Sequence, residues 1–224
     1  MKTNNNVILV LLLFISNFIY SQDGSLDPTF NSTGSAKTSF GVNDSSVHSM
    51  VLQADGKVVV AGTVFNHGNY SQFGLVRFNE DGTLDQSFGE LGYTVSNVQG
   101  KISLNSVALQ SDGKILSAGE IYNNYSDAQF LLTRFNSNGT LDATFGVNGV
   151  IIQDLIKINA MLVQSDDKIV VAGYSFDAVN RDFILIRYNS NGSLDTTFGT
   201  NGIVTTNQGI RITDTILHFR LMEK

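Results

Sequence analysis

Arg77, Arg134 and Arg187 sit in near-identical company. Arg77 to Gly89 reads RFNEDGTLDQSFG, Arg134 to Gly146 reads RFNSNGTLDATFG, and Arg187 to Gly199 reads RYNSNGSLDTTFG. The planar fork of a guanidinium matches a carboxylate or another oxyanion. The three arginines could therefore form a ring that grips an anionic ligand. Alternatively, each could pair with a repeated carboxylate, Asp85, Asp142 or Asp195 (or Asp27 from the preceding copy), and fix local geometry. Repetition favours the structural pairing. Asn79, Asp81, Thr83 and Asp85 also offer oxygens at alternate positions, in the manner of a calcium loop. Calcium takes six to eight oxygens, usually with several carboxylates. The matching loops carry Asn136, Asn138 and Asp142, or Asn189, Asn191 and Asp195, with one acid each. A hairpin turn is the better reading; no cofactor is expected, and calcium would bind weakly at most.

Little else has the form of catalytic machinery. His48, His67 and His218 are scattered and unrepeated. H-E-x-x-H, G-x-S-x-G, the P-loop and G-x-G-x-x-G are all absent, so the usual zinc, nucleophile and nucleotide motifs are missing. The expectation is a non-enzyme, with a secreted carbohydrate-active hydrolase built on a converging acid pair as the alternative. Tyr70, Tyr122, Tyr125, Tyr174 and Phe176 lie in or beside segments of variable sequence, accompanied by Asn66, Asn69, Asn123 and Asn124. Aromatic and amide loops on a rigid scaffold suit recognition of a glycan or a protein. Ordinary loop composition accounts for them equally well.

The elements that hold these residues recur with them. Leu-Asp returns at Leu26-Asp27, Leu84-Asp85, Leu141-Asp142 and Leu194-Asp195, a period of about 55 residues. Gln53 to Lys57, Gln110 to Lys114 and Gln164 to Lys168 form a second signature; Ala61-Gly62, Ala118-Gly119 and Ala172-Gly173 form a third. Each unit reads as four short strands, rich in β-branched and aromatic residues and free of helical period. In the first unit these are Val47 to Gln53, Lys57 to Thr63, Phe73 to Phe78 and Tyr93 to Ser96. Gln-x-Asp-Gly-Lys marks a tight hairpin in which Gly supplies a positive φ, and Asp167 takes that position in the third unit. The fold class is therefore all-β, with antiparallel four-stranded blades in a β-propeller-like array. The copies run near 26–83, 84–140 and 141–193, with a partial one at 194–224. About three full units fall short of the roughly four to eight of a closed propeller, so an incomplete ring, a fragment of a longer ancestor, or self-association that completes the ring is expected.

Residues 1–21 stand apart. Lys2 precedes the apolar run Val7 to Ile15, and the small Ser21 precedes Gln22, as in a cleaved signal peptide. Residues 22–224 would then form the repeat domain, without an integral membrane span, in a secreted, periplasmic or cell-surface setting. The chain has no cysteine, so burial and hydrogen bonding must hold it together. A net charge of −6 and pI ≈ 4.9 argue against nucleic acid and anionic membranes as partners.

The pattern Gln-x-Asp-Gly-Lys-Ile-x-x-Ala-Gly, then Phe-x-Leu-x-Arg-Tyr-Asn, then Asn-Gly-Ser-Leu-Asp-x-Thr-Phe-Gly-x-x-Gly, resembles the delta-60 repeat family of bacterial secreted proteins. The resemblance covers roughly Gly24 to Gly202. It implies a β-propeller-like fold, no assigned catalytic residues and a largely undefined function. The C-terminal sorting domain of many members has no counterpart after Gly202. The function expected is a binding scaffold that takes a protein or glycan through its loops; a truncated product with no separate activity is the further alternative.

Overall fold

Runs of Val, Ile, Leu and Phe bounded by Gly, Asn and Asp become strands throughout the computed structural model. It describes residues 24–40, 44–66, 70–96, 98, 100–122, 128–154, 156–176 and 181–206. The twelve strands are β1 (Ser45–Leu52), β2 (Val58–Asn66), β3 (Tyr70–Phe78), β4 (Tyr93–Val95), β5 (Lys101–Leu109), β6 (Ile115–Tyr122), β7 (Ala128–Phe135), β8 (Val150–Asp154), β9 (Ile156–Val163), β10 (Ile169–Phe176), β11 (Arg181–Tyr188) and β12 (Ile203–Thr206). They form three sheets of four, in the orders β1-β2-β3-β4, β5-β6-β7-β8 and β9-β10-β11-β12. Every pairing is antiparallel and joins neighbours in sequence. The expected all-β blade architecture is present. The expected signal segment, residues 1–21, and the partial copy beyond Thr206 lie outside the described residues.

The tight hairpin between the first two strands of each blade closes from Gln53 N to Lys57 O at 2.8 Å, with Gln110 to Lys114 and Gln164 to Lys168 alike. Asp167 adopts φ +61° where Gly56 and Gly113 adopt +80°, as its short polar side chain permits. The Ala-Gly signature has a different cause. Each first strand carries a β-bulge, between Val47 and Ser49, between Leu104 and Ser106, and opposite Ala172-Gly173. The bulge drives a carbonyl against the second strand. A Cβ on Gly62, Gly119 or Gly173 would lie 2.1, 2.1 or 1.9 Å from the carbonyl oxygen of Ser46, Ser103 or Lys157. Glycine is required there for space, not for φ.

The core is two layers, each sandwiched between successive blades. Val59, Ala61, Phe73, Leu75 and Phe88 of the first blade pack on Ile102, Leu104, Val107 and Ile115 of the second. Leu116, Ala118, Phe130, Leu132 and Phe145 of the second pack on Ile158, Ile169, Val171 and Ile186 of the third. Each blade thus has a leading face, turned to the blade before it, and a trailing face, turned to the blade after. The stacking is the arrangement by which repeat units bury what none could bury alone. The tight hairpins and the third-to-fourth strand turns lie at one end of the strands. The last residues of β2, β6 and β10 lie at the other, which we call the loop rim.

Candidate functional site

At the turn end, strand alternation sets Arg77 on the trailing face with Phe73 and Leu75. Its Nε donates to Asp85 Oδ2 at 2.8 Å, and its guanidinium lies 4.6 Å from the centre of the Phe88 ring. Arg134 repeats this with Asp142 at 2.9 Å and Phe145 at 4.5 Å, and Arg187 with Asp195 at 2.8 Å and Phe198 at 4.4 Å. The second nitrogen arm crosses to the next blade. Arg77 Nη1 donates to the carbonyl of Ser137 at 2.7 Å, and Arg134 Nη1 to that of Ser190. Arg134 Nη1 also donates to Gln110 Oε1 at 3.0 Å. The structure therefore pairs each arginine with the aspartate of its own blade; Asp27 instead accepts from Thr29.

The free oxygen of each aspartate is capped by its own turn. Asp85 Oδ1 accepts from Ser87 N and Oγ, and Asp142 and Asp195 use Thr144 and Thr197 in the same way. Burial alone would raise Asp85, but Lys57, Ser87 and Arg77 together hold it well below the usual carboxylate range. Asp142 is lowered on the same balance, burial being outweighed by Thr144, Arg134 and Lys114. Asp195 is lowered chiefly by Thr197. The calcium-like oxygens are separately engaged: Asp81 Oδ1 accepts from Thr83, while Asp85 serves Arg77 and Lys57. Among the described residues no three His, Cys, Asp or Glu side chains converge as a metal would need.

The loop rim carries chemistry of another kind, centred on an acid that only the second blade has. Glu120 is buried near the end of β6, where the neighbouring blades have Thr63 and Tyr174. Tyr122 Oη donates to its carboxylate, and Asn105 Nδ2, from the bulge of β5, reaches it at 3.5 Å and also donates to the carbonyl of Ile158. Lys157 Nζ lies 5.9 Å from the centre of the Tyr174 ring. Burial pushes the Glu120 carboxyl up, against the opposing pull of Tyr122, Lys157 and Asn105. Tyr122 is also raised, by burial first, then by Glu120 and by the nearby Tyr174. The result is a sequestered acid with a partly accessible phenol and an amide on the second blade, and an ammonium over a second phenol on the third.

Of the aromatic residues singled out in sequence, the structure sets Tyr122 on Glu120 in the second blade and Tyr174 against Lys157 in the third. Tyr70 stands exposed at the start of β3, Phe176 ends β10, and Tyr125 lies outside the described residues. Glu120, Asn105 and Lys157 went unmarked in the sequence. The signal for Glu120 was the departure of KILSAGE from its copies KVVVAGT and KIVVAGY at the last position.

The fold and the repeated joint define a β-propeller repeat protein. A family model described as domain of unknown function (DUF5122) beta-propeller matches three times, at residues 53–88, 110–145 and 164–198. Each match begins at the hairpin Gln and ends at the Phe beneath the arginine, so it spans the joint and the two central strands. The matches support a β-propeller repeat family. No curated protein and no solved structure matches the chain.

Proposed function

We propose that the chain is a non-enzymatic secreted or cell-surface scaffold of the delta-60 repeat type, which binds a glycan through its loop rim. The observation that carries this reading is the unrepeated acid Glu120 held by Tyr122 and Asn105, with Lys157 over Tyr174 at the same end of the next blade. Repeated residues in this chain are engaged in joining strands and blades, which leaves the departures from the repeat for recognition. Phenol rings offer sugars an apolar face with a polar tip, and the acid, amide and ammonium offer hydrogen bonds in both directions. The groups acting on Glu120 are a phenol, an ammonium and an amide. A glycosidase would instead set two carboxyl groups about 5–10 Å apart across the bond to be cleaved.

Retention on immobilised chitin, xylan and cellulose, with reducing-sugar release measured on the same samples, tests the proposal. Retention without release supports it. Release of sugar favours the hydrolase, and failure to be retained on any of them favours a protein ligand.

A further inference from the structure

The geometry points to head-to-tail association of two copies of this chain, the trailing face of the third blade receiving the leading face of the first, with residues 27–34 as a strap that opposes it. On the leading face, Val47, Met50 and Leu52 of β1 are 72%, 72% and 67% exposed. Their counterparts Leu104 and Val107 are 0% and 8% exposed, and Leu109 is partly buried, because the first blade covers them. On the trailing face of the third blade, Phe183, Leu185 and Phe198 are partly exposed. Their counterparts Phe130, Leu132 and Phe145 are fully buried by the third blade itself. The two uncovered faces are thus the two halves of an interface the chain already builds twice.

Polar groups match as well. Among the described residues Arg187 reaches no cross-blade carbonyl of the kind that Arg77 and Arg134 reach. Across the existing interface Gln110 donates to the carbonyls of Asp167 and Ser190, and Gln164 holds the same place one blade later. The residue that a second copy would present to Arg187 is Glu80, an acid where the other turns have Ser137 and Ser190. Attraction would therefore reinforce the fit.

The strap occupies part of that site. Leu26 to Phe30 repeats Leu84 to Phe88, and its contacts repeat too. Asn31 N donates to Asp81 O at 2.7 Å, as Gly89 N does to Asn138 O at 2.7 Å. The Phe30 ring lies over Gly82 as Phe88 lies over Gly139 and Phe145 over Gly192. Phe30 therefore stands where Phe198 of a second copy would insert, and association requires it to leave. The same strap leaves Val47, Met50 and Leu52 uncovered.

The chain has no cysteine, which makes a directed cross-link readable. In the existing interface Val107 N donates to Ser49 Oγ at 3.2 Å; the corresponding pair between copies is Met50 with Ala160. Equal amounts of Met50→Cys and Ala160→Cys, purified after export and mixed under mild oxidation, should give the mixed disulfide dimer above the yield from a Met50→Cys and Glu90→Cys control. In sedimentation velocity, Phe30→Ala should associate at a concentration at least tenfold below that of the parent, and Phe30→Ala with Met50→Asp should return to monomer. A mixed yield equal to the control overturns the proposal. So does association of Phe30→Ala that Met50→Asp leaves unchanged. Because the cross-link reads the intact strap, it decides the matter even if Phe30→Ala fails to fold.

Discussion

Replacing Arg134 by Ala removes several contacts at once, which makes it the most informative change in the repeated joint. The side chain is 7% exposed and its partner Asp142 6%. In the first blade Lys57 Nζ lies 2.8 Å from Asp85 and would remain after loss of Arg77. In the second blade Lys114 is paired at 2.6 Å with Asp112, so Asp142 would keep only the longer-range pull of Lys114. Breaking one side of such a buried pair destabilises by about 3–5 kcal/mol. For a chain of this size that corresponds to a fall in melting temperature of about 6–20 °C, or a urea midpoint lowered by about 2 M. Arg187 is 20% exposed and makes no cross-blade contact among the described residues, while Lys168 stands 3.3 Å from Asp195. Its loss should therefore matter least. Urea unfolding followed by circular dichroism should order the three alanine variants with Arg134 most damaging, Arg77 next and Arg187 last. An unchanged midpoint for Arg134→Ala, or equal losses at all three positions, would refute the joint and return the arginines to a ligand-binding role.

The remaining predictions concern titration and space. Glu120→Gln should raise stability at neutral pH, because burial lifts the Glu120 pKa above 4.5 and its ionisation is penalised as pH rises past that value. The gain should vanish below pH 4.5 in thermal melts; a gain independent of pH would contradict the burial argument. Asp85, Asp142 and Asp195, all lowered from 3.8, contribute stability that is complete above that pH and is lost as pH falls below it. Acid titration of the parent and Asp142→Asn should show the parent losing its advantage only in that acid range. Gly119→Ala places a Cβ 2.1 Å from the Ser103 carbonyl and should destabilise by about 3 kcal/mol. Gly113→Ala meets nothing nearer than Ser137 Cβ at 3.5 Å and suffers its φ of +80° alone, about 1–2 kcal/mol. Denaturant midpoints that reverse this order would remove the bulge explanation.

Much of the blade was legible because three copies of each turn could be laid side by side. Alternation within Phe73-Gly74-Leu75-Val76-Arg77 placed the arginine on the apolar face, and the nearest repeated acid proved to be its partner. The crossing arm was not legible, since its acceptors at Ser137 and Ser190 are backbone carbonyls, which carry no side-chain signature. Ala-Gly was visible as a motif but not as a necessity, because the bulge that crowds it lies on the partner strand. Glu120 was hidden by the habit of reading a repeat for what is common. A buried acid that only one blade possesses is visible when the copies are subtracted from one another.

The most direct test of a division between a structural turn end and a recognising loop rim is one affinity comparison on the polysaccharide that retains the parent chain. Tyr122→Ala with Tyr174→Ala should weaken binding at least tenfold while leaving the melting temperature within a few degrees, since both rings are partly exposed. Arg187→Ala, at the opposite end of the strands, should bind as the parent does. Undiminished binding by the double tyrosine variant, or loss of binding in Arg187→Ala at unchanged stability, would contradict the division.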